Sequence, residues 1–324
     1  MVQALSAIKQ PIEKELIEFE KHFRDSMKTH VPLLDKIMYY IVRRKGKQMR
    51  PMFVFLSASI CGQTNISSFR AASLVELLHT ATLVHDDVVD DAFQRRGFFS
   101  INALWKNKVA VLVGDYLLSR GLLLALDNKE FRLLEIVSKA VREMAEGELL
   151  QMEKARRLDI KEDIYYDIIR QKTASLIASS CAAGAASTAV DDEAIEKMRL
   201  FGEKIGIAFQ IRDDLFDFGD DDVGKPRGID IKEKKLTLPI IYALEQASPK
   251  QRKRIIRTIK RHHNESDKVR EVINFVRESG GLDYAREAMY QHREEAFEIL
   301  AEFPDSPARN SMQQLVLYVT ERRK

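Results

Sequence analysis

Apolar residues recur along this chain at steps of three and four. Leu133, Val137, Ala140, Val141, Met144 and Ala145 fall on one face, with Lys139, Arg142 and Glu143 between them on the wet one. That is the spacing of an amphipathic helix. The same stepping runs through 68–92, 109–126, 163–186, 192–218 and 269–303. Breaks are few: Cys61 to Asn65, Asp127-Asn128, 219–228, Gly280-Gly281 and 304–307. None is long or biased enough to join separate domains. The pattern predicts an all-α fold, a single domain over 1–324 built from long helices.

Composition supports helices. Glycine and proline number 14 and 8, about 7 % of the chain where roughly 12 % is usual. Hydrophobic residues make up 45 % and charged residues 31 %, a globular balance that argues against disorder. The cysteines are Cys61 and Cys181, without zinc-ligand spacing, so neither a disulfide scaffold nor a thiolate metal site is expected. No secretory pattern is read at the N-terminus. The apolar run 109–126 is interrupted by Asp115 and Arg120, a poor membrane span. A cytoplasmic protein without stable membrane insertion is expected.

Charge changes the picture once it is located. The 52 lysines and arginines and 49 aspartates and glutamates leave a net +3, which suggests no nucleic-acid partner. The acids are segregated, however. Ten of the 23 aspartates lie in 86–91 and 213–222. Asp86, Asp87 and Asp90 have the spacing DDxxD, and Asp213, Asp214 and Asp217 repeat it 127 residues later. On a helix these carboxylates are neighbours whose repulsion costs about 0.2–0.5 kcal/mol per pair. Near a helix C-terminus they also oppose the macrodipole. A solvated acidic face explains one such cluster, but two copies beside apolar runs point to a cation. All-oxygen donors suit Mg2+, which bridges a few carboxylates to phosphate oxygens.

Basic groups accompany both clusters. Lys45, Lys47 and Arg50 surround Gly46, Arg95-Arg96 follow the first cluster, and Lys225 and Lys235 follow the second. Lys172-Thr173 interrupts an apolar run. No GxxxxGK[ST] loop is present, so a nucleotide P-loop is not indicated. Carboxylates, divalent ions and cations together suit a diphosphate head, and the apolar helices suit a hydrocarbon tail.

These residues resemble the trans-polyprenyl diphosphate synthases, the family that includes farnesyl- and geranylgeranyl-diphosphate synthases. The match runs in order through Gly46-Lys47, Arg50-Pro51, His79 to Asp91, Arg95-Arg96-Gly97, Gly114-Asp115 and Glu146-Gly147-Glu148. It continues through Lys172-Thr173, Phe209-Gln210, Arg212 to Asp217, Gly224-Lys225-Pro226, Asp230 and Lys235 to Pro239. Two departures occur: Phe98-Phe99 stand where many relatives have a polar residue and proline, and Lys234 replaces a common glycine.

The resemblance implies a helical bundle around a deep central cavity, of the isoprenoid synthase type and usually homodimeric. It implies that Asp86, Asp87, Asp90, Asp213, Asp214 and Asp217 hold Mg2+ on an allylic diphosphate. Arg95, Lys172, Gln210, Lys225 and Lys235 would contact that diphosphate, with Thr173 and Gln210 stabilising the cation formed. Lys47, Arg50, His79 and Arg96 would bind isopentenyl diphosphate. Five and four residues before Asp86, the small Ala81 and Thr82 suggest an open tunnel and a long, octaprenyl-like product. Close helix packing is the bland alternative for that pair, and a farnesyl or geranylgeranyl product the short-chain one. His85 is read as structural, Trp105 and Cys61 as packing. Two other classes are weighed. An HD-type phosphohydrolase gives no reason for a second DDxxD, and a non-catalytic regulatory subunit gives none for keeping both.

Overall fold

Long apolar stripes with few breakers leave the backbone little choice but helix, because each turn satisfies its own N–H and C=O groups while one face is buried. A computed structural model of the chain describes residues 2–43, 46–95, 97–188, 190–219 and 228–321. In chain order come α1 (Val2–Lys9), a 3-10 turn (Gln10–Ile12), α2 (Glu13–Ser26), α3 (Pro32–Arg43), α4 (Met49–Cys61) and α5 (Ile66–Val89). A two-strand hairpin, β1 (Gln94–Arg95) and β2 (Phe98–Phe99), leads to α6 (Ile101–Asp127) and α7 (Phe131–Arg157). Next are α8 (Glu162–Ile169), a π-turn (Arg170–Ala174), α9 (Ser175–Ala186), α10 (Asp192–Phe216) and α11 (Ile229–Lys232). The chain ends with α12 (Leu238–Gln246), α13 (Pro249–Arg261), α14 (Ser266–Glu278), α15 (Gly281–Ala301) and α16 (Pro307–Glu321). The all-α expectation holds, the two-residue strands being the only sheet among the described residues. The run 163–186 is corrected in one respect: its helix is broken by the π-turn at Lys172-Thr173.

Contacts group the chain into two units. The first comprises Met1–Val141, Leu176–Arg199 and Ala301–Met312. Its α5 packs on α6, α4 and α2. Asn65 caps α5 by accepting from Ser67 N at 2.7 Å, and its own N–H donates to Ser68 Oγ at 3.2 Å, a reciprocal cap that fixes where the helix starts. By length and composition α6 is the one described helix apolar enough to cross a membrane. Its stripe of Ala110, Val113, Gly114, Leu117, Gly121 and Ala125 is nevertheless buried, and Arg120 donates Nε–H to Ser26 O at 2.9 Å. Leu104, Val111, Leu112, Leu123 and Leu126 on the same helix are exposed.

The second unit comprises Arg142–Ser175, Leu200–Leu300 and Gln313–Lys324. Here α12 packs against α8, α13 and α14, and Ile168, Ile211, Phe218, Leu238 and Ile240 share one core. Arg212 is 7 % exposed. It donates to Val319 O at 2.9 Å and lies 4.6 Å over the Phe216 ring. This arginine ties α16 to α10, a structural task despite its place beside the aspartates.

Candidate active site

In the first unit the aspartates close α5. Asp86 is half-buried, Asp87 only 5 % exposed and Asp90 exposed at the helix end. Arg95 donates Nε–H to Asp87 Oδ1 at 2.7 Å, and Asn102 Nδ2 donates to the Asp87 carbonyl at 3.0 Å. The hairpin places that arginine, since Arg95 pairs with Phe98 and Gln94 with Phe99. Tyr40 fastens it by donating its hydroxyl to Phe99 O at 2.8 Å. A buried carboxylate is retained here by a charge-assisted bond.

A cavity of about 340 Å³ adjoins Asp87. Gln48, Arg50, Glu76, His79 and Arg95 form its polar wall, and Phe19, Phe23, Leu83, Phe98 and Phe99 the apolar one. Arg50 and His79, expected on one substrate, and Arg95, expected on the other, therefore share this cavity. Lys47 is exposed and outside its lining, and Arg96 lies outside the described residues. His85 Nε2 lies 3.2 Å from Val111 O and 3.5 Å from Asp115 Oδ1. A Cβ on Gly114 would come within 2.1 Å of that ring, which accounts physically for Gly114-Asp115. Ala81 is 2 % exposed and belongs to the core of Met27, Ile37, Met38, Val113 and Leu117. Thr82 is half-buried, its hydroxyl donating to His79 O at 2.8 Å.

In the second unit the aspartates close α10. Asp214 is 5 % exposed and accepts from neutral donors, Tyr165 Oη at 2.7 Å and Gln210 Nε2 at 2.8 Å. Burial first, then the carboxylate of Asp230, pushes its carboxyl up to about 8. Burial, and then Asp214 beside it, holds the Tyr165 phenol well above its usual range, so it stays a donor. Asp217 accepts from the backbone N–H groups of Ile229 and Asp230 at 2.8 and 3.1 Å. Burial raises its carboxyl against those bonds.

Thr173 donates to Gln210 Oε1 at 2.8 Å, which fixes the amide so that its nitrogen faces Asp214. Lys172 is paired with Glu148. Burial disfavours the charge of Lys235, but Glu233, 2.5 Å away, outweighs that and raises it. Lys172, Thr173, Gln210, Asp214 and Lys235 line one cavity of about 100 Å³. Asp213 and Asp217 stand outside its lining, and Lys225 lies outside the described residues.

The π-turn that carries Lys172 and Thr173 is gripped by glycines. A Cβ on Gly147 would lie 2.9 Å from Lys172 N, and one on Gly206 would lie 2.4 Å from Ala174 Cα. Sequence reasoning gave no role to Tyr165, Asn102 or Gly206. Tyr165 sits in an apolar run where nothing distinguishes it from packing. It also gave none to Thr237, whose hydroxyl is buried in the same cavity wall with no partner among the described residues. Thr237 occupies the cap position of α12 without making the cap bond.

Among the described residues no three His, Cys, Asp or Glu side chains form a preassembled metal cage. The donor set still fits a hard cation. Asp214 is a buried carboxylate with neutral donors and acidic neighbours, and Mg2+ usually takes only one or two carboxylates besides water and phosphate oxygens.

Comparison with known proteins adds a family. Residues 31–276 match the polyprenyl synthetase family. An all-trans-nonaprenyl-diphosphate synthase (geranyl-diphosphate specific) of Rhodobacter capsulatus is 37 % identical over 315 residues, 96 % of each chain. The structure of a decaprenyl diphosphate synthase from the same organism superposes with a TM-score of 0.93 at 34 % identity, covering 99 % of both chains. A geranylgeranyl pyrophosphate synthase from Bacteroides thetaiotaomicron gives 0.84 at 38 % identity, covering 99 % of this chain and 100 % of that one.

Proposed function

The chain belongs to the polyprenyl synthetase family and is a prenyltransferase, and from that premise we propose that it condenses isopentenyl diphosphate with an allylic diphosphate into a long all-trans product. The observation that carries this reading is the pair of buried aspartates, Asp87 and Asp214, each closing a long helix next to a cavity with cationic side chains. We take residues 1–324 as one catalytic domain.

Asp86, Asp87 and Asp90, and likewise Asp213, Asp214 and Asp217, supply carboxylates to Mg2+. Bound Mg2+ would neutralise charge that develops on a departing diphosphate. Lys172 and Lys235 add fixed positive charge, which helps most where water is excluded. Lys225 shares this role in the proposal. Arg95 holds Asp87 in place through Nε and lines the same cavity, which leaves its other guanidinium hydrogens for a diphosphate. The Gln210 and Thr173 oxygens offer dipoles to an allylic cation, and the fixed amide orientation makes that stabilisation prepaid. Lys47, Arg50, His79 and Arg96 hold isopentenyl diphosphate, so that its double bond meets the cation without a diffusive search.

A long product accords with the small Ala81 and Thr82 and with the nonaprenyl and decaprenyl relatives. The 38 % identity to a geranylgeranyl synthase favours a shorter product as the second reading. Sizing of labelled products made with Mg2+, isopentenyl diphosphate and primers of different length decides between them, and products stopping at geranylgeranyl overturn the long-chain reading. Because Ala81 is buried in the core, Ala81→Phe would overpack it at about 1–3 kcal/mol. Thr82→Phe is the cleaner probe, and unchanged product length in that variant overturns its place in the ruler. The exposed leucines of α6 are assigned to a homodimer. Leu112→Asp is expected to give monomers by light scattering, and an unchanged oligomer rejects that face.

A further inference from the structure

One helix of the second unit carries a charge pattern that neither the fold nor the chemistry explains. Over thirteen residues α13 holds Lys250, Arg252, Lys253, Arg254, Arg257, Lys260 and Arg261 and no acid. All seven are exposed, while Ile255, Thr258 and Ile259 anchor the opposite side. Three acids on α14 and the turn before it are already engaged. Glu271 pairs with Arg254 at 3.4 Å and Lys268 at 3.0 Å, Glu265 with His262 at 2.7 Å, and Asp267 with Arg270 at 3.9 Å. The other six cations of α13 have no acidic partner among the described residues.

This arrangement works against the helix that bears it. Lys250 and Arg252 sit in the first turn, where the macrodipole favours acids. Lys250 with Lys253 and Arg254, and Arg257 with Lys253, Lys260 and Arg261, are like-charge neighbours that destabilise a helix. The buried side needs only isoleucine and threonine. Within the fold the basic face gains the Arg254–Glu271 pair and two cations, Lys260 and Arg261, in the last turn, which leaves Lys250, Arg252, Lys253 and Arg257 uncompensated. An external anionic surface would remove the repulsion.

We infer that the exposed face of α13 is a docking surface for an anionic phospholipid bilayer. A helix of this length presents a row of cations roughly 20 Å long, and clustered Lys and Arg on an amphipathic helix are attracted to anionic headgroups. The face carries no aromatic side chain of the kind that stacks on unpaired bases. It also has no exposed large apolar residue to insert, so contact is electrostatic and reversible. A bilayer is the natural acceptor of a long polyprenyl chain, although binding itself does not require that product.

The test is sedimentation of the purified chain with vesicles of phosphatidylcholine alone or mixed with phosphatidylglycerol. Binding is expected for the anionic vesicles at low salt, lost as salt rises, and absent for the neutral ones. The variant K253Q/R257Q/K260Q/R261Q should bind at least about a hundredfold more weakly. Its thermal melt should be equal to the parent's or slightly higher, since like-charge repulsion on α13 is reduced, and its turnover with short primers in detergent should be unchanged. A control variant on α7, K139Q/R142Q, should bind like the parent. Equal binding to neutral vesicles, no binding to anionic ones, or full binding by the α13 variant overturns the proposal. So does duplex DNA that displaces the protein from vesicles at equal charge concentration, since the face would then be a nucleic-acid surface. Vesicle binding is scored without turnover, so failure here and failure of the synthase reading are separate results.

Discussion

Asp87 and Asp214 occupy the same place in the same DDxxD spacing and are buried to the same 5 % exposure, yet they are held by opposite means. Asp87 meets a guanidinium, Arg95, at 2.7 Å. Asp214 meets a phenol and an amide, with Asp230 raising its carboxyl further. One carboxylate arrives partly neutralised. The other is oriented by neutral donors with no cationic partner of its own, and it depends more on a cation brought with the substrate.

Removal of metal probes the shared part of the comparison. Chelation with EDTA is expected to abolish product formation, and added Mg2+ to restore it. Full activity in EDTA would reject metal ligation by both sets.

Single replacements separate them. Asp87→Asn and Asp214→Asn should each lower kcat by roughly 10²–10³-fold, the scale of losing one preorganised electrostatic group. Without metal their stabilities should diverge. Asp87→Asn breaks a charged hydrogen bond and should cost about 1.5–3 kcal/mol. Asp214→Asn breaks no ion pair and relieves crowding with Asp230, so its melt in EDTA should match or exceed the parent. Equal losses would show that the two environments are equivalent.

Much of this contrast was hidden from the sequence. The helical stripes and both DDxxD spacings were legible because periodicity and charge segregation are local. Arg95 was legible as a cation following the first cluster. Tyr165 was not, because a buried tyrosine in Ile164-Tyr165-Tyr166 reads as packing until its hydroxyl is located. The π-turn was equally silent. Lys172 and Thr173 fit the periodic run 163–186, and a π-turn shifts the helical register without leaving a compositional mark. Likewise the sequence shows that Ala81 is small but not what it faces; its side chain packs in a core with residues of α3 and α6.

Tyr165→Phe sharpens the second site by removing one oriented donor. The half-saturating Mg2+ concentration should rise at least about tenfold, as for other groups that orient metal ligands. Thermal stability in EDTA should change little. A fall in stability with unchanged Mg2+ dependence would make Tyr165 a packing residue only.

The smallest expected effects come from glycines that let each unit close up. At Gly114 an added methyl meets the ring of His85, a side chain that can rotate away. The cost is then the ring's hydrogen bond to Val111 O, about 0.5–1.5 kcal/mol. At Gly206 the methyl meets the Cα of Ala174 in the π-turn, which moves only if α10 and that turn separate. Overpacking of this kind costs about 1–3 kcal/mol. It should also loosen the Thr173 to Gln210 bond, so Gly206→Ala should lower kcat as well as the melting temperature, whereas Gly114→Ala should lower the melting temperature alone. Equal kcat in the two variants would mean that the π-turn tolerates displacement, and that Lys172 and Thr173 do not depend on its grip.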